Sequence, residues 1–503
     1  MHLRLTEEVG CVPIRPLSRD LTWLFPPTLD ELIPADHPAR FVAAFVDSLD
    51  RAAWAKMEIA LDGDPLGAPS YDARTLLCVW LYGFMTRVRS TRKLEDACRD
   101  QIPFLWLTGW EQPDHNTLWR FYQAHRQEMR QLFKRTIRTA VRLRLVDLAV
   151  QAVDGTRIAG NAARERTYDQ ASLERLLEQT DAAIADLEAQ NVAGEDPPPP
   201  RLPQELVQAK RLREQVGAAL DQLDAEDVQQ QRVNLTDPDA TIQKDRNGYL
   251  VGYNAQAMVS PLDARAAGCA GLLITAAEVT TDADDHRQLA PMIDQARETT
   301  GQTVNMTLAD GGYHSGPNLQ ACADRDQAIA MPEAQRKALE KPYHKNAFRY
   351  DADADTFTCP EGQILRYAGS THRKRRPIAR RYRAGLGICQ ACPAFHECAK
   401  DRPRGRTIET GPEEELLRTH RVWMATAEAK NLYRRRKVLP EPTFGILKEQ
   451  QAARRFLLRG LAHVQAEWVL LATAFNLRTL YRVWAQRVRA HPESGWAFAW
   501  ASP

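Results

Sequence analysis

The chain is 503 residues long, about three typical domain lengths, and its 44% hydrophobic and 26% charged residues exclude global disorder, a collagen-like repeat and a disulfide miniprotein. Its 67 Lys and Arg against 65 Asp and Glu give a net charge of +2, so any surface for a polyanion has to be local. Residues 1–8 hold no apolar core of signal-peptide length, and no run reaches the roughly 18 apolar residues of a membrane span, so a cytoplasmic location without a membrane partner is expected.

After an N-terminal segment, 1–19, residues 20–145 read mainly as helix: 73–88 is strongly apolar, and 118–145 mixes apolar positions at helical spacing with Arg and Lys. Ser90-Thr91-Arg92-Lys93-Leu94-Glu95 reads as a capped helix start, and Pro113-Asp114-His115-Asn116-Thr117-Leu118 as a turn feeding another helix. Such units, with Arg92, Lys93 and His115 near the starts, suit docking on DNA; a helical bundle with solvated Arg residues is the plainer alternative. The pattern changes at Val146. Residues 148–153 form an apolar run ending in Asp154-Gly155-Thr156, a buried strand whose end presents a carboxylate. Residues 166–232 hold two helical stretches separated by Pro197-Pro198-Pro199-Pro200, an antiparallel helical hairpin inserted into the sheet domain. Its acidic faces argue against direct DNA contact. Strands resume at 248–259 and 272–279, a capped helix is expected over 285–299, and the strand 304–308 leads into Ala309-Asp310-Gly311-Gly312. This order predicts a mixed α/β sheet, begun by 146–350 and completed by 411–485 after a Cys-rich basic insertion at 351–410. Within the last part, 454–484 reads as one long amphipathic segment, and 486–503 is a tail.

Asp154 and Asp310 thus end two strands of one sheet, and Glu441 opens a helical stretch, so three carboxylates distant in sequence can converge at the carboxyl edge of the sheet. Clustered acidic oxygens want hard cations. Two Mg2+ (or Mn2+) ions per site, about 3.5–4 Å apart, can activate a water or a 3′-hydroxyl and stabilise the leaving oxygen at a phosphodiester. Position alone is weak support, because an Asp after a strand is usually a turn former.

The residues around these carboxylates are more specific. Val153-Asp154-Gly155-Thr156-Arg157-Ile158, Ala309-Asp310-Gly311-Gly312-Tyr313-His314-Ser315 and Tyr433-x2-Arg436-x4-Glu441-Pro442-x-Phe444-Gly445-x2-Lys448 together resemble bacterial insertion-sequence transposases with the aspartate-aspartate-glutamate (DDE) triad. The resemblance also takes in Ser90 to Glu95, Pro113-Asp114-His115, Asp237-Pro238-Asp239-Ala240, Gly252-Tyr253-Asn254-x-Gln256 and Arg454-Arg455-Phe456-x2-Arg459-Gly460, and so covers about residues 20–482. It implies a ribonuclease-H-like mixed-sheet catalytic core behind an N-terminal all-helical domain, with Asp154, Asp310 and Glu441 as the catalytic metal-binding triad. It assigns Tyr433, Arg436 and Lys448 to positioning DNA beside the metals, and it implies a homodimer or larger assembly. Arg157 is a mild departure, since the family commonly has Lys there. On a helix, Glu441, Gly445 and Lys448 fall near one face, which sets a carboxylate beside a cation able to hold phosphate. For Arg434, Arg435 and Lys437, which do not match the motif positions, a solvated basic helix start remains the alternative.

Four of the nine cysteines cluster: Cys389-x2-Cys392, with Cys359 30 positions upstream and Cys398 six beyond Cys392. A structural Zn2+ on four thiolates is feasible, with His396 as a substitute ligand; reduced unligated thiols and a regulatory disulfide are the alternatives, the last disfavoured in a reducing compartment. Four thiolates would leave zinc no open position for catalysis. Nearby, His372-Arg373-Lys374-Arg375-Arg376 and Arg380-Arg381-x-Arg383 concentrate positive charge that the total conceals, with Tyr367 and Tyr382 interleaved. They read as a phosphate-binding surface, against a merely solvated loop.

The sequence therefore reads as an insertion-sequence transposase acting on double-stranded DNA at the nucleoid. Residues 20–145 would bind the terminal inverted repeats, and the core would cut and join strands. A metal-dependent nuclease without strand transfer, or a catalytically silent DNA-binding relic or repressor, are the alternatives.

Overall fold

The computed structural model describes residues 28–61, 70–192, 204–224, 232–245, 248–333, 341–371, 378–385, 387–400 and 404–490. The chain opens with helices α1 Pro38–Asp47, α2 Arg51–Lys56, α3 Ala73–Met85, α4 Thr91–Asp100, α5 Ile102–Thr108, α6 His115–His125 and α7 Arg130–Arg142. Local chemistry sets their starts. His37, Asp50, Asp72, Ser90 and Asp114 each accept a hydrogen bond from a backbone N–H of the first turn, satisfying donors that a helix leaves unpaired. In α3 every residue from Leu76 to Met85 is buried, as expected of a helix that is apolar all round and therefore central.

The strands of the next region are β1 Val150–Ala159, β2 Thr167–Tyr168, β3 Val233–Asn234, β4 Thr241–Asp245, β5 Gly248–Pro261, β6 Leu272–Thr280, β7 Met306–Leu308 and β8 Ile329–Ala330. The main sheet has six strands in the order β4-β5-β1-β7-β8, with β6 also paired to β5. Strand β5 is antiparallel to β1, β4 and β6, whereas β7 runs parallel to β1 and β8 parallel to β7. The result is a mixed α/β architecture. Between β1 and β5 stand helices α8 Gln170–Val192 and α9 Gln204–Asp224, rooted on the β2–β3 pair. They run antiparallel, with Lys210 2.6 Å from Glu188, and enclose Leu173, Val216 and Ala219 with Val233 and Leu235. The proline run at 197–200 lies outside the described residues.

One apolar core joins α1–α7, one face of the main sheet and the C-terminal helix Leu461–Ala490, so the N-terminal helices are continuous with the sheet. The other sheet face is covered by the helix Leu289–Thr300 and by Tyr313 and Leu319. Side chains alternate between the two: Ala152 and Leu308 enter the first core, Val153 and Ala309 the second. A separate antiparallel sheet, order β13-β12-β11-β10-β9, is built from β9 Arg349–Asp351, β10 Thr356–Thr358, β11 Ile364–Thr371, β12 Ala379–Arg383 and β13 Thr407–Thr410. Its core holds Phe348, Phe357, Leu365, Tyr382 and Ile408. Among the described residues no helix is long and apolar enough to cross a membrane.

Three local expectations need correction. Strand β1 does not stop before Asp154 but runs on to Ala159, because residues 152–159 pair with β5 after the parallel pairing with β7 has ended at Ala152. The helix expected from Asp285 begins at Leu289, because the Asp285 carboxylate is taken by side chains of β1 and β5 instead of capping. The last helix begins only at Leu461. Ahead of it, Arg89 donates to the carbonyls of Ala452 and Arg455 and to the Glu467 carboxylate, which also accepts from the N–H groups of Leu457 and Leu458. Asp237 and Asp239 then accept the N–H groups of Gly460 and Leu461. With their backbone groups so claimed, residues 452–460 have no call to coil.

Candidate active site

Parallel pairing of β1 with β7 matches Ala152 to Leu308. Two residues further along each chain stand Asp154 and Asp310, on the same side of the sheet by the alternation that sends Ala152 and Leu308 into one core. A single guanidinium nitrogen joins them: Arg436 Nη2 is 2.8 Å from Asp154 Oδ2 and 3.5 Å from Asp310 Oδ2. Asp310 is further anchored by accepting the Gly312 N–H at 2.8 Å as it caps the short 3-10 turn Gly311–Tyr313.

The electrostatics follow from crowding. Burial pushes the Asp154 carboxyl up to about 6, against the pull of Arg436, and the carboxylates of Asp310 and Asp285 push it the same way. For Arg436, burial works to lower the pKa, but Asp154 and Asp310 outweigh it and hold the guanidinium above its usual value. Arg436 thus offsets part of the negative charge of the two carboxylates.

Glu441 is exposed on the short helix Pro440–Gly445, which packs on β1 and β5; its neighbours Leu439, Phe444 and Leu447 join the same core as Ala152 and Leu308. The three acidic groups do not close on one point, and among the described residues no group of three or more His, Cys, Asp or Glu is arranged to hold a metal ion. The expected single helical face through Glu441, Gly445 and Lys448 is also altered, because Ile446–Gln450 is a π-helical turn, which widens the spacing after Gly445. The turn delivers Lys448 to β1, where its Nζ donates to Thr156 Oγ1 at 2.6 Å and to the Arg157 carbonyl at 3.3 Å.

On the opposite side of β1 lies a polar cluster centred on Asp285, which in the sequence reads only as a helix start. Asp285 accepts hydrogen bonds from Arg157 Nη1 at 3.1 Å, Asn254 Nδ2 at 2.7 Å and Gln256 Nε2 at 2.7 Å. Gln256 Oε1 in turn accepts from the buried Tyr313 hydroxyl. Gly155 makes this possible: a Cβ there would come within 2.3 Å of Gln256 Nε2 and 2.7 Å of Asp285 Oδ1. The signal available was the Asn254-x-Gln256 pair, whose side chains face one way on a strand and, once buried, need a partner. Other motif residues meet as scaffold. Tyr253 donates to Asp237, Asp237 accepts from Gly460, and the Phe456 N–H donates to the Ala159 carbonyl, which ties β1, β5 and the loop before the last helix together.

The remaining expected residues fall in three places. Arg92 and Lys93 are exposed on α4, while His115 at the start of α6 is engaged with Glu95, its Nδ1 2.6 Å from Oε2. Tyr433 lines an open cleft with His314, Glu333, His420, Arg421, Lys430 and Arg434. Arg373, Lys374, Arg375 and Arg376 lie outside the described residues. Cys359, Cys389, Cys392 and Cys398 are free thiols lining one small pocket under the β9–β13 sheet.

An acidic pair with only oxygen donors, already holding one positive charge and flanked by Arg and Lys on a mixed α/β sheet, suits a hard divalent cation and a phosphodiester. The comparisons agree with that class. Residues 358–481 match the family model described as Transposase DDE domain, and residues 27–124 the model described as Transposase domain (DUF772). These matches support an insertion-sequence transposase with a DDE domain. The first spans Arg436, Glu441 and Lys448, while Asp154 and Asp310 lie ahead of it. No curated protein and no solved structure matches the chain.

Proposed function

We propose that this chain is an active transposase that binds the terminal inverted repeats of its element and catalyses Mg2+-dependent strand cleavage and strand transfer on double-stranded DNA. The observation that carries the reading is the placement of Asp154 on β1 and Asp310 just past the end of the parallel strand β7, each two residues beyond the last matched pair, with Arg436 between them. The strand order, an antiparallel β6-β5-β1 half continued by parallel β7 and β8, supports a ribonuclease-H-like core. The α/β site would be served by the N-terminal helices as the end-binding part, with self-association pairing two ends.

Asp154 and Asp310 would hold Mg2+ or Mn2+, with Glu441 brought in as the third carboxylate. When bound, the metals supply the Lewis acidity for attack on phosphorus and departure of the leaving oxygen. The chain itself does the positioning. Arg436, released from the carboxylates, would take a phosphate oxygen of the scissile strand, with Tyr433 and the cleft cations holding the neighbouring backbone. Lys448, through Thr156 and the Arg157 carbonyl, fixes the Glu441 segment to β1.

The deciding experiment incubates the full chain with labelled duplex carrying the gene's own flanks, Mg2+ and a target plasmid, alongside Asp154→Asn. End cuts and joined product, both lost in the variant, are expected. Cutting without joining would favour the nuclease, and binding without cutting the silent repressor.

A further inference from the structure

The β9–β13 sheet is small for a unit with its own core. Five buried apolar side chains, Phe348, Phe357, Leu365, Tyr382 and Ile408, form its interior, and small apolar clusters of this size usually rely on a covalent or metal staple. Cys359 and Cys398 pack directly against this core. Cys359, Cys389, Cys392 and Cys398 line a single pocket closed by Phe348, Leu365 and Phe395, whereas the other described cysteines, Cys78, Cys98, Cys269 and Cys322, are elsewhere in the fold. All four are half-buried and unbridged.

Two tight turns present the thiols. At the first, the Cys359 N–H donates to the Gln363 carbonyl at 2.9 Å, the Gly362 N–H to the Cys359 carbonyl at 2.9 Å, and the Gln363 N–H to Cys359 Sγ at 3.2 Å. A backbone N–H aimed at sulfur favours the thiolate and orients it. At the second, the Cys392 N–H donates to the Cys389 carbonyl at 3.2 Å, and the chain continues into the short helix Phe395–Ala399 that carries Cys398. Gly405, at φ +71°, passes so close that a Cβ would lie 2.8 Å from Cys389 Sγ. The backbone is thus folded tightly around these sulfurs.

We propose that Cys359, Cys389, Cys392 and Cys398 bind one structural Zn2+ that staples the β9–β13 sheet. No three of them meet at one centre in this structure, so binding requires the thiols that line this pocket to draw together. The site is independent of the DNA chemistry, since four thiolates leave the metal no open position.

The test uses the full chain purified with reductant and without chelator. Elemental analysis should find about one zinc per chain, the complement of a single four-thiolate site. Mercurial titration of the thiols should release it in step with modification, and replacement by Co2+ should give thiolate charge-transfer and tetrahedral d–d bands. Cys359→Ser and Cys392→Ser should lose the metal and the bands, with Cys269→Ser keeping both. A folded wild-type chain lacking zinc and giving no Co2+ bands, or a disulfide mapped among the four, would overturn the proposal. The wild-type titration and spectrum decide the matter even where a serine variant does not fold.

Discussion

Asp154 on β1 and Asp310, just past the end of the neighbouring parallel strand β7, each lie two residues beyond the last matched pair, Ala152 and Leu308. Where the parallel ladder ends, two carboxylates project side by side, and one nitrogen of Arg436 lies between them. Like charges at such range oppose one another's ionisation unless a cation is supplied. Arg436 supplies it in this structure.

If this pair binds a divalent cation, as the proposed function requires, that cation and Arg436 compete for the same oxygens. Arg436→Gln should bind Mn2+ more tightly, on the order of tenfold, equivalent to about 1.4 kcal/mol, while cleaving end DNA more slowly for want of a phosphate contact. Mn2+ titration followed by electron paramagnetic resonance reads the first effect. Unchanged or weaker Mn2+ binding would show that Arg436 does not compete with the metal.

Removing one carboxylate without removing the basic surface separates chemistry from binding. Asp310→Asn and Glu441→Gln should each retain end-DNA affinity in a mobility-shift assay and lose cleavage by about 10^3-fold or more, the scale for a member of a catalytic unit. Glu441 is the sharper case, since under the proposed function its carboxylate would have to move to join the other two. Wild-type cleavage by Glu441→Gln would remove it from the site.

Lys448 and Thr156 are joined at 2.6 Å. If that link holds the Glu441 segment on β1, Lys448→Met and Thr156→Val should each slow cleavage, and the double variant should be little worse than either. Contacting residues commonly show coupling of about 0.5–3 kcal/mol in such cycles. Strict additivity of the two effects on the cleavage rate would mean the link plays no part.

The pH dependence follows from Asp154. Its folded-state pKa, about 6, lies above the ordinary 3.8, so the folded chain holds this proton more firmly than the unfolded one. The stability that this proton brings is fully present below pH 3.8 and is lost as pH rises through about 6. In chelator, urea midpoints of the wild type should therefore fall across this window more steeply than those of Asp154→Asn, which has nothing to titrate there. Parallel pH profiles of the two proteins would contradict the assignment.

Arg89 and Glu467 form an ion pair with side chains only 5% and 2% exposed. Truncating one partner of a buried pair usually costs about 3–5 kcal/mol, because the other charge is stranded. Arg89→Met should show a loss of this size in urea denaturation and should open the loop 452–460 to limited proteolysis, since Arg89 also binds the carbonyls of Ala452 and Arg455. A cost below about 1 kcal/mol would mean the pair behaves as a solvated one.

Much of this protein is legible in its sequence because the relevant forces are local. Caps such as Ser90 and Asp114 announce helix starts through side-chain chemistry with the next turn. Apolar runs mark α3 and β1 through periodicity, and the Asp154, Asp310 and Glu441 segments carry enough local wording to resemble a transposase family. The tertiary structure decided what depends on charges and hydrogen bonds between residues far apart in the chain. Asp285, which as sequence reads like a helix start, is bound by Arg157, Asn254 and Gln256 instead, because buried amides and a guanidinium outbid the N-terminus of an exposed turn. The π turn at Ile446–Gln450 accompanies the reach of Lys448 to Thr156, 292 positions earlier. The bridging of Asp154 and Asp310 by Arg436 likewise needs the parallel pairing of β1 with β7, a contact whose partners lie 156 residues apart. Composition and periodicity are blind to such pairings, because burial and Coulomb energy depend on distance in space, not on separation along the chain.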